Sequence, residues 1–242
     1  MEIVKLRKFD IDNCKCKNIL ILGKRETGKS FLTKDLLYHK SKDIHCGGCF
    51  TNTNTDRKFY SQFIPNSSIL NFQYDTSAII IDKLITYSNN TNKNYFMSFD
   101  DVFYEHSVSH LSFFEKILKQ NNILTILTMP YPLGLSPTIK KLFNYVFIFR
   151  ENYFGNKKRL YEHYGQMFST FDKFCEVLDQ YTQDYDCLVI YNTPDPNVKL
   201  DITELVFWYK AESHNEFKLF DNDDVFSDGT EAEDEAKVIA EK

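Results

Sequence analysis

Apolar residues in this 242-residue chain fall in short unbroken runs separated by longer polar stretches. Asn18–Leu22, Cys49–Thr51, Tyr95–Phe99, Ile123–Thr128, Tyr145–Phe149, Cys187–Tyr191 and Leu205–Tyr209 each read as a strand. Continuous rather than alternating apolar runs predict strands covered on both faces, as in a parallel sheet between helices. Phe31–Tyr38, Ala78–Ser88, His110–Gln120 and Thr170–Gln180 instead space their apolar residues at helical intervals. Ile80, Leu84 and Tyr87 share one side of the second, and Phe171, Phe174, Val177 and Leu178 one side of the last. Strands alternating with helices predict a three-layer α/β fold with a mostly parallel central sheet. No internal repeat interrupts the pattern.

One junction in this pattern carries chemistry. Between the first strand and its helix lies Gly23-Lys24-Arg25-Glu26-Thr27-Gly28-Lys29-Ser30, which fits G-x-x-x-x-G-K-[ST]. This is the phosphate-binding loop of P-loop nucleoside triphosphatases, and the strand–loop–helix setting makes the match a site. Gly23 and Gly28 let the backbone curl so that successive N–H groups face phosphate oxygens. The helix that follows, entered at Phe31, adds its positive N-terminal end. Lys29 can reach the β- and γ-phosphates, and Ser30 can place a hydroxyl on Mg²⁺. The expected nucleotide-binding stretch is therefore Gly23 through Phe31, with ATP and Mg²⁺ as its ligands.

Such a loop needs an acid at the end of a neighbouring strand. Tyr95–Phe99 runs straight into Asp100-Asp101. Asp100 is expected to hold Mg²⁺, and Asp101 to orient the attacking water. Thr128, closing the run Ile123–Thr128, suits the polar sensor position of a motor ATPase. Other P-loop classes fit less well. Asn92-Lys93-Asn94-Tyr95 lacks the Asp of a guanine reader, and Asn156-Lys157-Lys158-Arg159 is a thin arginine lid for a small-molecule kinase.

Composition narrows the setting. The formal net charge is −5, so the chain as a whole is no basic nucleic-acid coat, and DNA contact needs a local surface such as Lys140, Lys141, Lys157, Lys158 and Arg159. The alternative for those residues is a solvated face. No apolar run is long enough for a membrane span, and the N-terminus has no signal-peptide core. An intracellular location and six reduced cysteines are expected. Cys46 and Cys49 have zinc-ligand spacing, but Cys14-x-Cys16 is a poor partner pair, and a turn leading into a strand is the competing reading. Residues 221–242 are acidic and carry few apolar residues, which predicts a disordered tail after an ATPase domain spanning 1–220. A role for that tail as DNA mimic or partner hook is the alternative.

The downstream segments are more specific. Thr128-Met129-Pro130-Tyr131-Pro132-Leu133-Gly134, Asn144 through Asn152, Tyr161 through Phe168, Asp186 through Ile190 and Phe207 through Ala211 resemble the genome-packaging ATPases of nucleocytoplasmic large DNA viruses. The resemblance runs from about Asn18 to Phe220. It implies a RecA-like motor of the FtsK–HerA group, assembled as a homo-oligomeric ring that uses ATP to drive double-stranded DNA into a capsid. It also implies a capsid or portal-like partner and residence at the viral assembly site in the host cytoplasm, or in the virion. Two positions depart from the family pattern. Pro130 stands where a γ-phosphate-sensing Gln is common, and Lys119 stands in a segment that usually carries Arg. Proline offers no donor, and lysine lacks arginine's planar fork. Arg150 and Arg159 are the candidates for an arginine finger inserted from a neighbouring subunit; structural ion pairing is the alternative for each. These departures keep a second function open, a nucleotide-binding structural protein with little translocase activity.

Overall fold

The computed structural model describes residues 5–12, 14, 17–103, 112–131 and 134–220. The acidic tail and the start of the expected helix at His110 lie outside the described residues. The elements in chain order are β1 (Arg7–Lys8), β2 (Asn18–Leu22), α1 (Lys29–Lys40), β3 (Ile44–Thr51), α2 (Asn54–Tyr60), β4 (Ile69–Leu70), α3 (Tyr74–Asn90), β5 (Asn94–Asp100), α4 (Ser112–Leu118), β6 (Ile123–Met129), α5 (Pro137–Lys140), β7 (Tyr145–Ile148), α6 (Phe154–Tyr164), α7 (Phe171–Tyr181), β8 (Asp186–Tyr191), α8 (Ile202–Leu205) and β9 (Val206–Lys210).

The strands form one sheet in the order β1-β9-β8-β7-β2-β6-β5-β3-β4. β8 pairs antiparallel with both β7 and β9, while the other recorded pairs are parallel. This is the expected α/β P-loop fold with a mostly parallel sheet. Alternate residues of each strand serve opposite faces. Leu20, Leu22, Met97, Phe99, Leu127, Val146 and Ile148 join α3, α4 and α7 in one core cluster. Ile19, Ile21, Phe96, Ile126, Phe147 and Val189 join Leu32, Leu36 and Leu37 of α1 in the other. Both faces are buried, which is why the strands read as unbroken apolar runs.

The structure corrects several boundaries. The expected strand at Cys49–Thr51 starts at Ile44, so His45-Cys46-Gly47-Gly48-Cys49 lies within β3 and is no turn. A glycine pair lowers strand propensity, but full pairing with β5 overrides it. Gly47 is required there, because a Cβ would sit 2.1 Å from the Phe96 carbonyl oxygen of β5. Cys46 and Cys49 are buried in that strand and build no zinc cluster among the described residues. Cys14 is disulfide-bonded, so the expectation of six reduced thiols fails there. Leu205 closes a short capped helix, and the last strand begins at Val206. No helix among the described residues is long and apolar enough to cross a membrane.

Candidate functional site

The phosphate-binding loop leaves β2 at Leu22 and enters α1 at Lys29. Glu26 and Gly28 both have positive φ, 66° and 106°, which turns the loop's N–H groups toward one side. Gly28 tolerates that conformation because it has no Cβ. Gly23 is required for a different reason: a Cβ there would lie 2.5 Å from Thr27 Oγ1 and 2.8 Å from Phe149 Cβ. The Gly23 N–H donates to the Met129 carbonyl of β6 at 3.1 Å, and Thr27 Oγ1 donates to the Lys24 carbonyl at 2.8 Å. Arg25, Glu26 and Phe31 are exposed.

The strand order sets what faces this loop. β6 lies between β2 and β5, with Leu22 level with Met129 and Thr128 level with Asp100. The loop, Thr128 and the two carboxylates therefore share one edge of the sheet. Asp100 is only 4% exposed. Its Oδ2 accepts from Ser30 Oγ and from Tyr60 OH, each at 2.9 Å, and its Oδ1 accepts from Thr128 Oγ1 at 2.6 Å. Thr128 Oγ1 also lies 3.0 Å from Asp101 Oδ1 and accepts from the Asp101 N–H at 2.9 Å. Asp101 has φ of 50°, a left-handed turn that Asp tolerates and that swings its carboxylate toward the loop. There Lys29 Nζ meets Asp101 Oδ2 at 2.9 Å and donates to the Lys24 carbonyl at 3.1 Å.

Burial pushes the Asp100 carboxyl above the usual carboxylate range. The Thr128 hydroxyl pulls it back, and the Asp101 charge adds to the upward push. The hydroxyls of Ser30, Tyr60 and Thr128 hold this buried carboxylate. A hydroxyl beside a carboxylate is the hard oxygen donor set that suits Mg²⁺, and a bound cation would lower the cost of the buried charge. The residues present fit Mg²⁺ with ATP phosphates on the loop.

A second charged pair braces the loop from outside. Lys24 Nζ lies 2.7 Å from Glu151 Oε1 and 3.5 Å from the centroid of the Tyr153 ring. Glu151 also accepts from the Tyr153 N–H at 2.7 Å and from Asn156 Nδ2 at 2.9 Å. Burial alone would raise the Glu151 pKa, but these hydrogen bonds outweigh it and hold the carboxyl below the usual range.

The other candidates sit apart from this centre. Arg150 is exposed just past β7, and its Nε donates to Asn152 Oδ1 at 3.2 Å. With Pro130, Arg159 and Gly23 it lines a shallow cavity beside the loop. Lys119 precedes β6, at the opposite edge of the sheet from the loop, and pairs with Glu115 at 2.5 Å. Within the candidate basic surface, Lys157 is tied to Asp179 at 2.6 Å and Lys140 lies 3.2 Å from His163 Nδ1, while Lys141, Lys158 and Arg159 are exposed. Sequence reasoning missed Tyr60, Glu151 and Tyr153. Only the apolar run ending at Phe149, which places residues 150–153 at the same sheet edge, pointed toward the last two.

Loop, acid pair and intervening threonine strand together define a RecA-like P-loop NTPase fold. Among solved structures it is similar to B204, the DNA-packaging ATPase of Sulfolobus turreted icosahedral virus, with TM-score 0.59 and 15% identity over 83% of this chain and 100% of that one. It is also similar to ATPases 2 and 3 of EssC from Geobacillus thermodenitrificans, with TM-score 0.51 and 14% identity over 93% of this chain and 44% of that one. No family model matches the chain. Among curated proteins, the uncharacterized protein 088R of Invertebrate iridescent virus 3 is 32% identical over 204 residues, 82% of this chain and 77% of the relative. The uncharacterized protein L437 of Acanthamoeba polyphaga mimivirus is 28% identical over 226 residues, 86% and 77% of the two chains. The chain belongs to the family of 088R, a family of large DNA virus proteins with the fold of genome-packaging ATPases.

Proposed function

We propose that this protein is a Mg²⁺-dependent ATPase that moves double-stranded viral DNA into a capsid as a homo-oligomeric ring. The convergence of Lys29, Ser30 and Thr128 on the adjacent carboxylates Asp100 and Asp101 carries the reading. Lys29 and the loop N–H groups neutralise phosphate charge. Ser30 and Asp100 hold Mg²⁺, which when bound draws electron density from the phosphate oxygens. Asp101 accepts a hydrogen bond from the attacking water and orients it toward the γ-phosphate. Thr128 locks Asp100 and Asp101 in one arrangement, so that loss of the γ-phosphate is felt by strand β6. In this structure Lys29 rests on Asp101; an incoming triphosphate competes for the ammonium and releases Asp101 to bind water. The resting pair thus restrains the base until nucleotide arrives.

The fold shared with B204, a DNA-packaging ATPase, supports DNA as the cargo. A translocating motor contacts the phosphate backbone and needs little base readout. The test is steady-state ATP hydrolysis by the full chain, with and without long double-stranded DNA, at low and moderate salt. Strong stimulation by DNA, lost in Asp101→Asn and in Lys29→Ala, is the expected result. Turnover unchanged in Lys29→Ala would overturn the site. Tight ATP binding with no hydrolysis under any condition would favour the second reading, a nucleotide-binding structural protein. Pro130 beside the sensor strand motivates that reading, because it cannot donate to a γ-phosphate.

A further inference from the structure

We infer that Asp35, His39 and His214 form a Zn²⁺ site that ties the segment after β9 to the back of the phosphate-loop helix. Asp35 and His39 stand one turn apart on α1, His214 joins them from the segment after β9, and the two imidazoles converge on one Asp35 oxygen. Asp35 is on α1 and fully buried. Its Oδ2 accepts from Tyr209 OH at 2.6 Å, which fixes the carboxylate and aims Oδ1 at two imidazoles. His214 Nε2 lies 2.5 Å from that Oδ1, and His39 Nε2 lies 3.5 Å from it. Each residue offers one ligand atom, and these atoms all lie within 4.8 Å of one another.

The surroundings orient the ligands as an outer shell orients a metal site. His39 Nδ1 meets Asp12 Oδ1 at 2.8 Å, so in the neutral ring the proton sits on Nδ1 and the Nε2 lone pair faces Asp35. Two lone-pair atoms then face each other, and either a second proton on the ring or a metal ion between them removes the repulsion. The His214 ring is stacked on Tyr38, with centroids 3.6 Å apart and planes 11° from parallel. Two imidazoles and one carboxylate are a donor set suited to zinc, with a water completing the tetrahedron. Ligand atoms on such an ion are about 3.3 Å apart. His39 Nε2 and Asp35 Oδ1 are already near that separation, and His214 must withdraw by less than about 1 Å. The His214 ring then carries its proton on Nδ1.

The site has a mechanical consequence. Asp35 is on the helix that begins with Lys29 and Ser30. Beyond His214, Phe217 stacks on Phe63 with centroids 5.3 Å apart, and the Leu219 N–H donates to the Phe63 carbonyl at 2.9 Å. A metal here clamps that strap and α1 together.

The experiment titrates Zn²⁺ into the metal-stripped full chain against a chelating dye, and separately records the Co²⁺ absorption spectrum. One equivalent of Zn²⁺ is expected, with affinity falling as pH drops through the histidine range, since the ligands must be neutral. His39→Gln and His214→Gln should each weaken binding more than about 100-fold, and Asp12→Asn about 10-fold. The Co²⁺ spectrum of wild type should show four-coordinate nitrogen and oxygen ligation without a thiolate band; this holds even if a variant fails to fold. Failure of wild type to bind, equal binding by both folded histidine variants, or a thiolate band would each overturn the site. The first would leave a protonated His–Asp hydrogen-bond cluster. None of these outcomes depends on ATP hydrolysis.

Discussion

Replacing Tyr60 with Phe removes one hydroxyl from the buried end of the nucleotide site and nothing else of size. Tyr60 is fully buried on α2, and its OH donates to Asp100 Oδ2 at 2.9 Å. A hydrogen bond to a charged group contributes about 1.5–3 kcal/mol. It stabilises the ionised form of Asp100 over the protonated one. At 1.36 kcal/mol per pH unit, its loss should raise the Asp100 pKa by roughly 1–2 units, on top of the upward push that burial already supplies. Solvent screening does not reduce this much, because both partners are buried.

Two measurements follow from that number. Under the proposed function Asp100 holds Mg²⁺ as a carboxylate, so the acid limb of the kcat/KM profile should move up by about 1–2 units in Tyr60→Phe. The second is urea unfolding without nucleotide across pH. Because the folded pKa of Asp100 is raised, the folded state binds more protons than the unfolded state between the two pKa values. Stability from this group is therefore present below the unfolded pKa and lost as pH rises through the folded pKa. The variant widens that window, so its deficit against wild type should be small in acid and grow to about 1.5–3 kcal/mol above both pKa values. An unmoved acid limb together with a pH-independent deficit would refute the reasoning and reduce Tyr60 to core packing.

Gly47→Ala should destabilise the fold by about 3 kcal/mol or more, read as a lower Tm, since its Cβ would strike the Phe96 carbonyl across the β3–β5 ladder. Glu151→Gln should cost about 2 kcal/mol at neutral pH by leaving Lys24 without its carboxylate. The folded pKa of Glu151 is lowered, so wild type should lose this advantage as pH falls from the ordinary glutamate range through the folded value, and equal stability of both proteins at pH 7 would count against the brace. Under the proposed ring, Arg150→Ala mixed with wild type should lower ATPase activity by more than its mole fraction, because this exposed guanidinium, which donates from Nε to Asn152, would reach a neighbour's site. A loss strictly proportional to mutant fraction would exclude a role in trans.

The parts of the site that could be read from the sequence are those encoded locally. Strand, glycine loop and helix are contiguous from Asn18 to Lys40, and Asp100-Asp101 directly follow a buried run, so each fragment carries its own context. What stayed hidden has identifiable causes. α2 is seven residues of mostly polar sequence with no periodic apolar face, so Tyr60 gave no sign that it reaches Asp100. α6 is largely exposed and polar, and its helicity follows from docking Leu160 and Tyr164. The reversal of β8 was invisible because a buried strand reads the same in either direction. Contacts of Asp35 with Tyr209 and His214 span 174 and 179 positions, beyond any pattern based on spacing.

Strand order turns the legible fragments into one connected site. A loop and an acid on adjacent strands could meet directly, yet β6 separates β2 from β5 and places Thr128 level with Asp100. Ser30 reaches Asp100 from α1, Thr128 reaches both acids from the strand between, and Lys29 closes the ring on Asp101. Each group is thus held by another group of the site. Under the proposed function, a change at the phosphate position that displaces Lys29 reaches Asp101, then Thr128, and through it strand β6. The motor proposed above uses such a connection, and a passive nucleotide store has no need of one. That difference makes Thr128→Val, which keeps shape while deleting the shared hydroxyl, the substitution best placed to separate nucleotide binding from DNA-stimulated turnover. Binding retained with stimulation lost would favour the motor; stimulation retained would show that the hydroxyl is not the link.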